Sequence, residues 1–394
     1  MIQNCDTEAL GLLADTRVCG WYASFQGAEP VIMVDSAIIV KACHRTEFCV
    51  VLTHDGRILA RTRPGSHLVD ITSSLPDGLG QELLDDGTEI HVFTYTITIK
   101  TRCRVCFLDA RPPNYGVYKE DEHINVVRAG SYTFPSGINL AGFGSGHGFV
   151  RTNDNYLYII DSDSSHSKGC QLVDIADPEH IREIITDTWY TLLIMKDGTA
   201  RTCGLFDNRS WFLRTSGSFV KIEFPDEVSV AKIINRKPQI FFITTEGQCY
   251  YVNADAPGLK PVLIGALVGY YVEDVFIAGR HVIVLHDGCK VCLLNLISSI
   301  TETCTANMID PNEMSGEKLP EPLLFCNDKG IISVQHVGVW IYFTTSEGHV
   351  YYHRSWTLTC DSHLREIPFF TDNPIMVESR AARIGSAANT LRGD

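Results

Sequence analysis

The sequence predicts an all-β chain, a seven-bladed β-propeller with about four antiparallel strands per blade, and three observations predict it. The first is a turn of the form acidic-Gly, recurring between two apolar runs of strand length. The second is its spacing: turn positions 56, 102, 155, 198, 247, 288 and 348 lie 41 to 60 residues apart, about 49 on average. The third is composition, because 394 residues that are 45% hydrophobic and 20% charged supply a large core and are too apolar for a disordered segment.

The hairpins come first. Residues 48–56, 190–198, 239–247, 281–288 and 340–348 each run from Val, Ile, Phe, Tyr or Thr into Asp-Gly or Glu-Gly. A tight hairpin turn needs positive φ, which glycine adopts without a Cβ clash, so Gly56, Gly198, Gly247, Gly288 and Gly348 are the expected structural turns. A sixth copy, residues 147–155, ends on Asn155, the residue next best suited to the left-handed region. A seventh, residues 94–106, is degenerate and turns near Arg102. Before most hairpins lies another extended stretch, at 67–71, 171–175 and 219–223, and with lead-in strands at 38–42, 181–185, 230–234 and 272–277 these bring each unit to about four strands.

One such sheet cannot bury both of its faces, whereas neighbours stacked around a ring bury them for one another. Residues 1–377 are therefore expected to form a single domain, followed by a polar, aperiodic tail at 378–394. Near the N-terminus, residues 15–22 resemble the latter half of a unit, and the expectation is that this strand pairs with C-terminal strands and closes the ring. If the half-unit and residues 368–377 make a blade of their own, the ring has eight.

The stretch Ala141-Gly142-Phe143-Gly144-Ser145-Gly146-His147 leads into an apolar strand, the turn at Asp154-Asn155 and an aromatic strand at Tyr156-Leu157-Tyr158. Ala278-Gly279-Arg280-His281 through Asp287-Gly288 repeats the pattern one residue shorter, and Val18-Cys19-Gly20-Trp21 has the form of a closing strand. Over about residues 12–370 the chain thus resembles the regulator of chromosome condensation family. It departs from that family in lacking the Asn-x-x-Gly-Gln-Leu-Gly stretch, of which Cys203-Gly204-Leu205-Phe206-Asp207-Asn208 is the nearest remnant. The resemblance implies the propeller fold, packing roles for His147 and His281, and guanine-nucleotide exchange on a Ran-type small GTPase. No exchange residue carries over, because the loops that would hold one do not align.

Charge narrows the partner. With 33 basic and 47 acidic side chains the net charge is −14, which repels phosphate backbones, and nucleic acid is not an expected partner. Met1 to Asp6 has no basic start leading into an apolar run, and the longest apolar-leaning run, residues 261–272, is far short of a bilayer span. The expectation is a protein without a leader or membrane insertion, cytoplasmic or alternatively nuclear, with its fourteen cysteines reduced.

Candidate chemistry reduces to structure at each motif. Cys103/Cys106 and Cys289/Cys292 are spaced like zinc ligands, but residues three apart on a strand face opposite ways, so packed thiols are expected. Asp161-Ser162-Asp163 begins like a calcium loop, yet His166 and Leu172 stand where glycine and glutamate are needed. The glycines at 142–148 lead into a strand rather than a helix N-terminus, which makes them a bend and not a phosphate cradle. No nucleophile, base and orienter can be assembled. No catalytic residue, metal or cofactor is expected.

Surface remains. The expected function is a non-catalytic protein–protein interaction scaffold that presents its rim loops to a small GTPase or to a cytoskeletal or trafficking complex. Glu120, Asp121 and Glu122, in the loop at 111–124, are candidate partner-binding residues, as are Glu302, Asp310, Glu313 and Glu317 in the 60-residue gap between the last two turns. Nucleotide exchange is the alternative, and binding to basic histone surfaces a third reading.

Overall fold

The computed structural model describes residues 8–12, 18–24, 27–34, 39–45, 48–53, 55–61, 68–76, 79–84, 88–93, 96–111, 125–144, 147–161, 169–187, 190–203, 219–236, 239–254, 260–278, 281–288, 290–295, 330–337, 340–354, 357–358 and 363–367. Among them the chain is all-β apart from one helical turn, α1 (Leu79–Glu82), and a few 3₁₀ turns. It divides into two compact units, one of Met1–Glu179 with Thr186–Thr188, the other of His180–Ile185 with Trp189–Asp394.

The first unit holds four antiparallel sheets, each strand bonded to the next in sequence. They are β1 (Glu8–Leu12) to β3 (Gly27–Val34) around β2 (Val18–Ser24); β4 (Ile39–Arg45), β5 (Phe48–Thr53), β6 (Ile58–Arg61) and β7 (Val69–Asp70); β8 (Glu89–Phe93), β9 (Thr96–Lys100), β10 (Arg104–Arg111) and β11 (Asn125–Thr133); and β12 (Ile138–Phe143), β13 (His147–Thr152), β14 (Leu157–Asp161) and β15 (Cys170–Leu172). The second unit repeats the plan with β16 (Ile181–Thr186), β17 (Thr191–Met195), β18 (Ala200–Cys203) and β19 (Val220–Lys221); β20 (Val230–Arg236), β21 (Gln239–Thr244), β22 (Cys249–Asn253) and β23 (Val262–Leu263); β24 (Val272–Ala278), β25 (His281–His286) and β26 (Lys290–Asn295); and β27 (Ile331–Val337), β28 (Trp340–Thr345), β29 (Val350–Arg354) and β30 (Arg365–Glu366).

Two expectations change here. The N-terminal segment is a three-stranded meander rather than half a unit, and β2, the strand expected to close a ring, has both edges taken by β1 and β3. The stretches around 69, 171 and 220 are not lead-ins to the next hairpin. They are the outermost strands of the preceding sheets, paired with β6, β14 and β18.

The second strand of each sheet explains why the sequence reads as apolar runs. Along β21, Ile240 and Phe242 enter the layer shared with the fifth sheet, while Phe241 and Ile243 enter the layer shared with the seventh. Side chains alternate across a strand, so a strand packed on both faces must be apolar at every position. The same division holds on β25, where Val282 and Val284 face one layer and Ile283 and Leu285 the other. In the first unit, Leu52 and Ile58 meet Ile97 and Ile99 in a layer that Leu79 and Leu83, from α1 and the turn after it, complete.

The hairpin turns are closed by a threonine that the acidic-Gly pattern does not reveal. Thr53, Thr152, Thr244 and Thr345 end the second strands of their sheets. Each hydroxyl accepts the N–H of the residue four further on, Arg57, Tyr156, Gln248 or His349, at 3.0, 3.2, 3.1 and 3.1 Å. Each threonine N–H donates back to that residue's carbonyl, and the positive-φ residue (Gly56, Asn155, Gly247 or Gly348) donates to the threonine carbonyl at 3.0 Å. Gly198 and Gly288 also have positive φ, 82° and 81°.

Three of the turns, at Arg102, Gly198 and Gly247, are seated on the next sheet. Ile138, Val230, Val272 and Ile331 open first strands, pair with the last residue of the second strand, and are followed by a β-bulge. The N–H of Val230 donates to Gly198 of the preceding sheet at 2.8 Å, that of Val272 to Gly247 at 2.9 Å, and that of Ile138 to Arg102 at 2.7 Å. A Cβ on Gly198 would lie 2.0 Å from Ser229 Oγ and one on Gly247 2.5 Å from the Tyr271 ring, whereas one on Gly288 would meet nothing within 4 Å among the described residues.

This difference sets a prediction for urea denaturation. Gly288→Ala should cost ~1–2 kcal/mol through φ alone. Gly247→Ala should cost a further ~1–3 kcal/mol through overpacking against Tyr271. Equal losses would show that the turns are not seated on the following sheet.

Candidate binding edge at the hairpin turns

The acidic residue of each turn is exposed: Asp55, Asp154, Asp197, Glu246, Asp287 and Glu347, one per sheet in six sheets. Four of these carboxyls are held below the usual aspartate range by hydrogen-bond donors of their own sheets. The Thr53 hydroxyl, then Arg57, does this for Asp55, and the hydroxyls of Thr152 and Ser136 for Asp154. At Asp197 desolvation raises the pKa, but the N–H and hydroxyl of Thr199, both at 2.8 Å, outweigh it. At Asp287 the N–H of Tyr271, at 3.0 Å, leads, with His286 contributing. The charge therefore serves twice, as a turn acceptor and as a fixed anion facing water.

In the second unit a mixed-charge row runs across the first strands. Arg182 on β16 donates to the carbonyls of Val230 and Ala231 at 2.8 and 2.7 Å, and Lys232 on β20 pairs with Asp274 on β24 at 2.6 Å. Glu183 is exposed, yet protein crowds its carboxyl enough for desolvation to push its pKa up against the pull of Arg182 and Lys232. These contacts tie neighbouring first strands together.

A third polar group lies on the third sheet. Glu89 accepts from Lys100 Nζ at 2.8 Å and meets His91 Nε2 at 3.2 Å, with Lys100 itself buried. Thr101 and Arg104 of the next turn bind the two oxygens of Glu82 at 2.8 and 3.1 Å, docking α1 on that hairpin.

All six expected turn residues, Gly56, Asn155, Gly198, Gly247, Gly288 and Gly348, have the positive φ their role requires. Glu120, Asp121, Glu122, Glu302, Asp310, Glu313 and Glu317 lie outside the described residues, as do Ser162 and Asp163 of the calcium-like run and Cys289. Cys106 and Cys292 are buried in apolar layers, and burial pushes the Cys106 thiol up to about 12, away from the thiolate a metal would need. Of the glycines at 142–148, Gly144 and Gly148 are required by packing, while residues 145 and 146 lie outside the described residues. A Cβ on Gly144 would lie 2.4 Å from the Asp187 carbonyl oxygen, and one on Gly148 2.5 Å from the Phe143 ring. The turn carboxylates themselves were hidden in plain view, since each is half of the acidic-Gly signal that marks a hairpin.

No helix among the described residues is long and apolar enough to cross a membrane. No known family profile matches the chain, and no curated protein matches it in sequence. Among solved structures, Prp20p from Saccharomyces cerevisiae, described with its binding to Gsp1p and histones, is 11% identical over 75% of this chain and 82% of its own, with a TM-score of 0.45. Human WBSCR16 is 12% identical over 74% of this chain and 89% of its own, at 0.44. The computationally designed protein Ika8 is 11% identical over 85% and 87%, at 0.47. None of the three is similar enough to lend this chain an activity.

The Glu89 group gives a pH prediction. Desolvation raises its carboxyl, but hydrogen bonds from His91 and Lys100 prevail and bring it from 4.5 down to about 2. A carboxyl depressed in the folded state contributes stability above its unfolded pKa and loses it as pH falls through the folded one. The urea midpoint should therefore fall between about pH 4.5 and pH 2, with part of the effect screened because the Glu89 side chain is 39% exposed. Glu89→Gln should flatten that slope, and an unchanged profile would sever the link.

Proposed function

We propose that the chain is a β-propeller of seven or eight blades, closed into one domain over residues 1–377, that works without catalysis as a protein-interaction scaffold in the cytoplasm. The observation that supports this most directly is the repeated turn: a hydrogen-bonded hairpin, seated on the adjacent sheet where that joint is described, presents an exposed anion. Rigid placement lowers the entropy lost on docking, and a row of fixed carboxylates selects partners with basic surfaces. Glu120 to Glu122 and Glu302 to Glu317, in the connecting loops, would add further acidic recognition surface.

Nucleotide exchange on a Ran-type GTPase is the second reading, favoured by the family-like repeat from Ala141 to Asn155 and by the fit of an acidic edge to a basic GTPase surface.

Two measurements separate them. Affinity capture on the full chain at about 0.15 M salt should retain specific partners, and a variant carrying Asp197→Asn, Glu246→Gln and Glu347→Gln should retain them ~10-fold less, about the effect of losing several rim charges. Release of labelled guanine nucleotide from Ran-type GTPases should stay at background. Acceleration well above background would replace scaffolding by exchange, and a chain that retains no partner under any condition would remove the scaffold reading.

A further inference from the structure

One repeat position departs from its counterparts. The residue just before each first strand accepts a backbone hydrogen bond from the residue that follows the second strand, and in four sheets it is Gly137, His180, Ser229 or Gly330. In the seventh sheet it is Tyr271, 52% exposed. The joint does not require an aromatic ring there.

Tyr271 is also held more firmly than an exposed tyrosine needs to be. Its N–H donates to Asp287 Oδ1 at 3.0 Å and its carbonyl accepts the Asp287 N–H at 3.0 Å. Its ring lies over Gly247, where a Cβ would approach to 2.5 Å. The 3₁₀ turn Gly265–Leu267 anchors the segment through buried Ala266 and Leu267 and leaves Val268 61% exposed beside it. Glu246, next to Gly247, and Asp287 flank the patch with exposed carboxylates.

Beneath it the polar network is incomplete. His286 stands where other turns have threonine. It is 2% exposed, its Nδ1 lies 3.1 Å from Asp287 Oδ2, its ring meets Tyr270 edge-on at 4.6 Å, and its Nε2 is buried without a hydrogen-bond partner among the described residues.

We infer that Tyr271 and Val268, between the carboxylates of Glu246 and Asp287, form a docking site for a Lys- or Arg-rich segment of a protein partner. This rests on the scaffold reading and adds to it a surface and a partner chemistry. An exposed, immobilised aromatic ring loses little entropy on binding, and its face attracts a cation. The two flanking carboxylates select that cation over an apolar or acidic group. Lys290, the cross-strand neighbour of His286, lies near enough to Asp287 to help lower its pKa, so Glu246 is the carboxylate that carries most of this selection.

The test uses the full chain and a fluorescein-labelled octapeptide of alternating Arg and Gly, with binding read by anisotropy at about 0.15 M salt. Tyr271→Ser, which copies the residue found at this position in the sixth sheet, should fold normally and weaken binding about fivefold or more. Glu246→Gln should weaken it by a similar factor, while Glu347→Gln, the same charge removed at the eighth sheet's turn, should change it less than about twofold. Wild-type affinity in Tyr271→Ser, equal losses in Glu246→Gln and Glu347→Gln, or no peptide binding would each overturn the site. Concentration-dependent sedimentation that Tyr271→Ser abolishes would make the occupant a second copy instead and overturn it as well. Partners captured equally by wild type and Tyr271→Ser would sink the site and leave scaffolding intact, whereas an absence of captured partners would sink scaffolding itself.

Discussion

A strand such as β21, with Ile240 and Phe242 on one face and Phe241 and Ile243 on the other, has no face to give to water. A single four-stranded sheet built around it would expose half of that apolar surface, at roughly 25 cal/mol for each Å² left uncovered. Its sheet is stable only between neighbours, and each neighbour inherits the same demand from its own second strand, as β25 does. The repetition along the chain follows from this requirement. A sheet of the series cannot be removed without uncovering the layers on both sides of it.

The turns convert that stacking into register. Apolar layers slide easily because dispersion is not directional. The N–H groups of Ile138, Val230 and Val272, each bonded to the turn of the sheet before, fix where one sheet meets the next. At the Gly247 turn, Thr244 and the positive φ of Gly247 shape the loop whose carbonyl is offered at that point. Because these bonds use backbone atoms, the exposed side chains of the turn are left for recognition. Glu246 can be changed for partner selection at little cost to the joint, whereas Gly198 and Gly247 cannot, and Asp197 also holds its own turn through Thr199.

Much of this was legible in the sequence, for a physical reason: glycine at positive φ and double-faced apolar strands both leave local signatures. Gly56, Asn155 and Gly348 could be placed without coordinates. The outer strands could not be assigned to the correct sheet, since Val69-Asp70 or Val220-Lys221 pairs over two residues and local pattern does not say to which side. The N-terminal meander was read as half a unit because its first strand, Glu8–Leu12, has no β-branched or aromatic residue to announce it. The candidate site was the least legible part. Tyr271 has meaning only when aligned with Gly137, Ser229 and Gly330, and that alignment rests on hydrogen bonds, not on letters. The threonine closures were visible as letters, but their function lies in a hydroxyl geometry that no spacing rule encodes.

The brevity of the outermost strands has its own consequence. β7, β19, β23 and β30 span two residues each and β15 spans three. An extended intruder lying along one of these borders would find room for only two or three main-chain bonds before the border ended. At these five borders a foreign strand finds no foothold, which leaves β11 and β26, at nine and six residues, as borders long enough to template another strand.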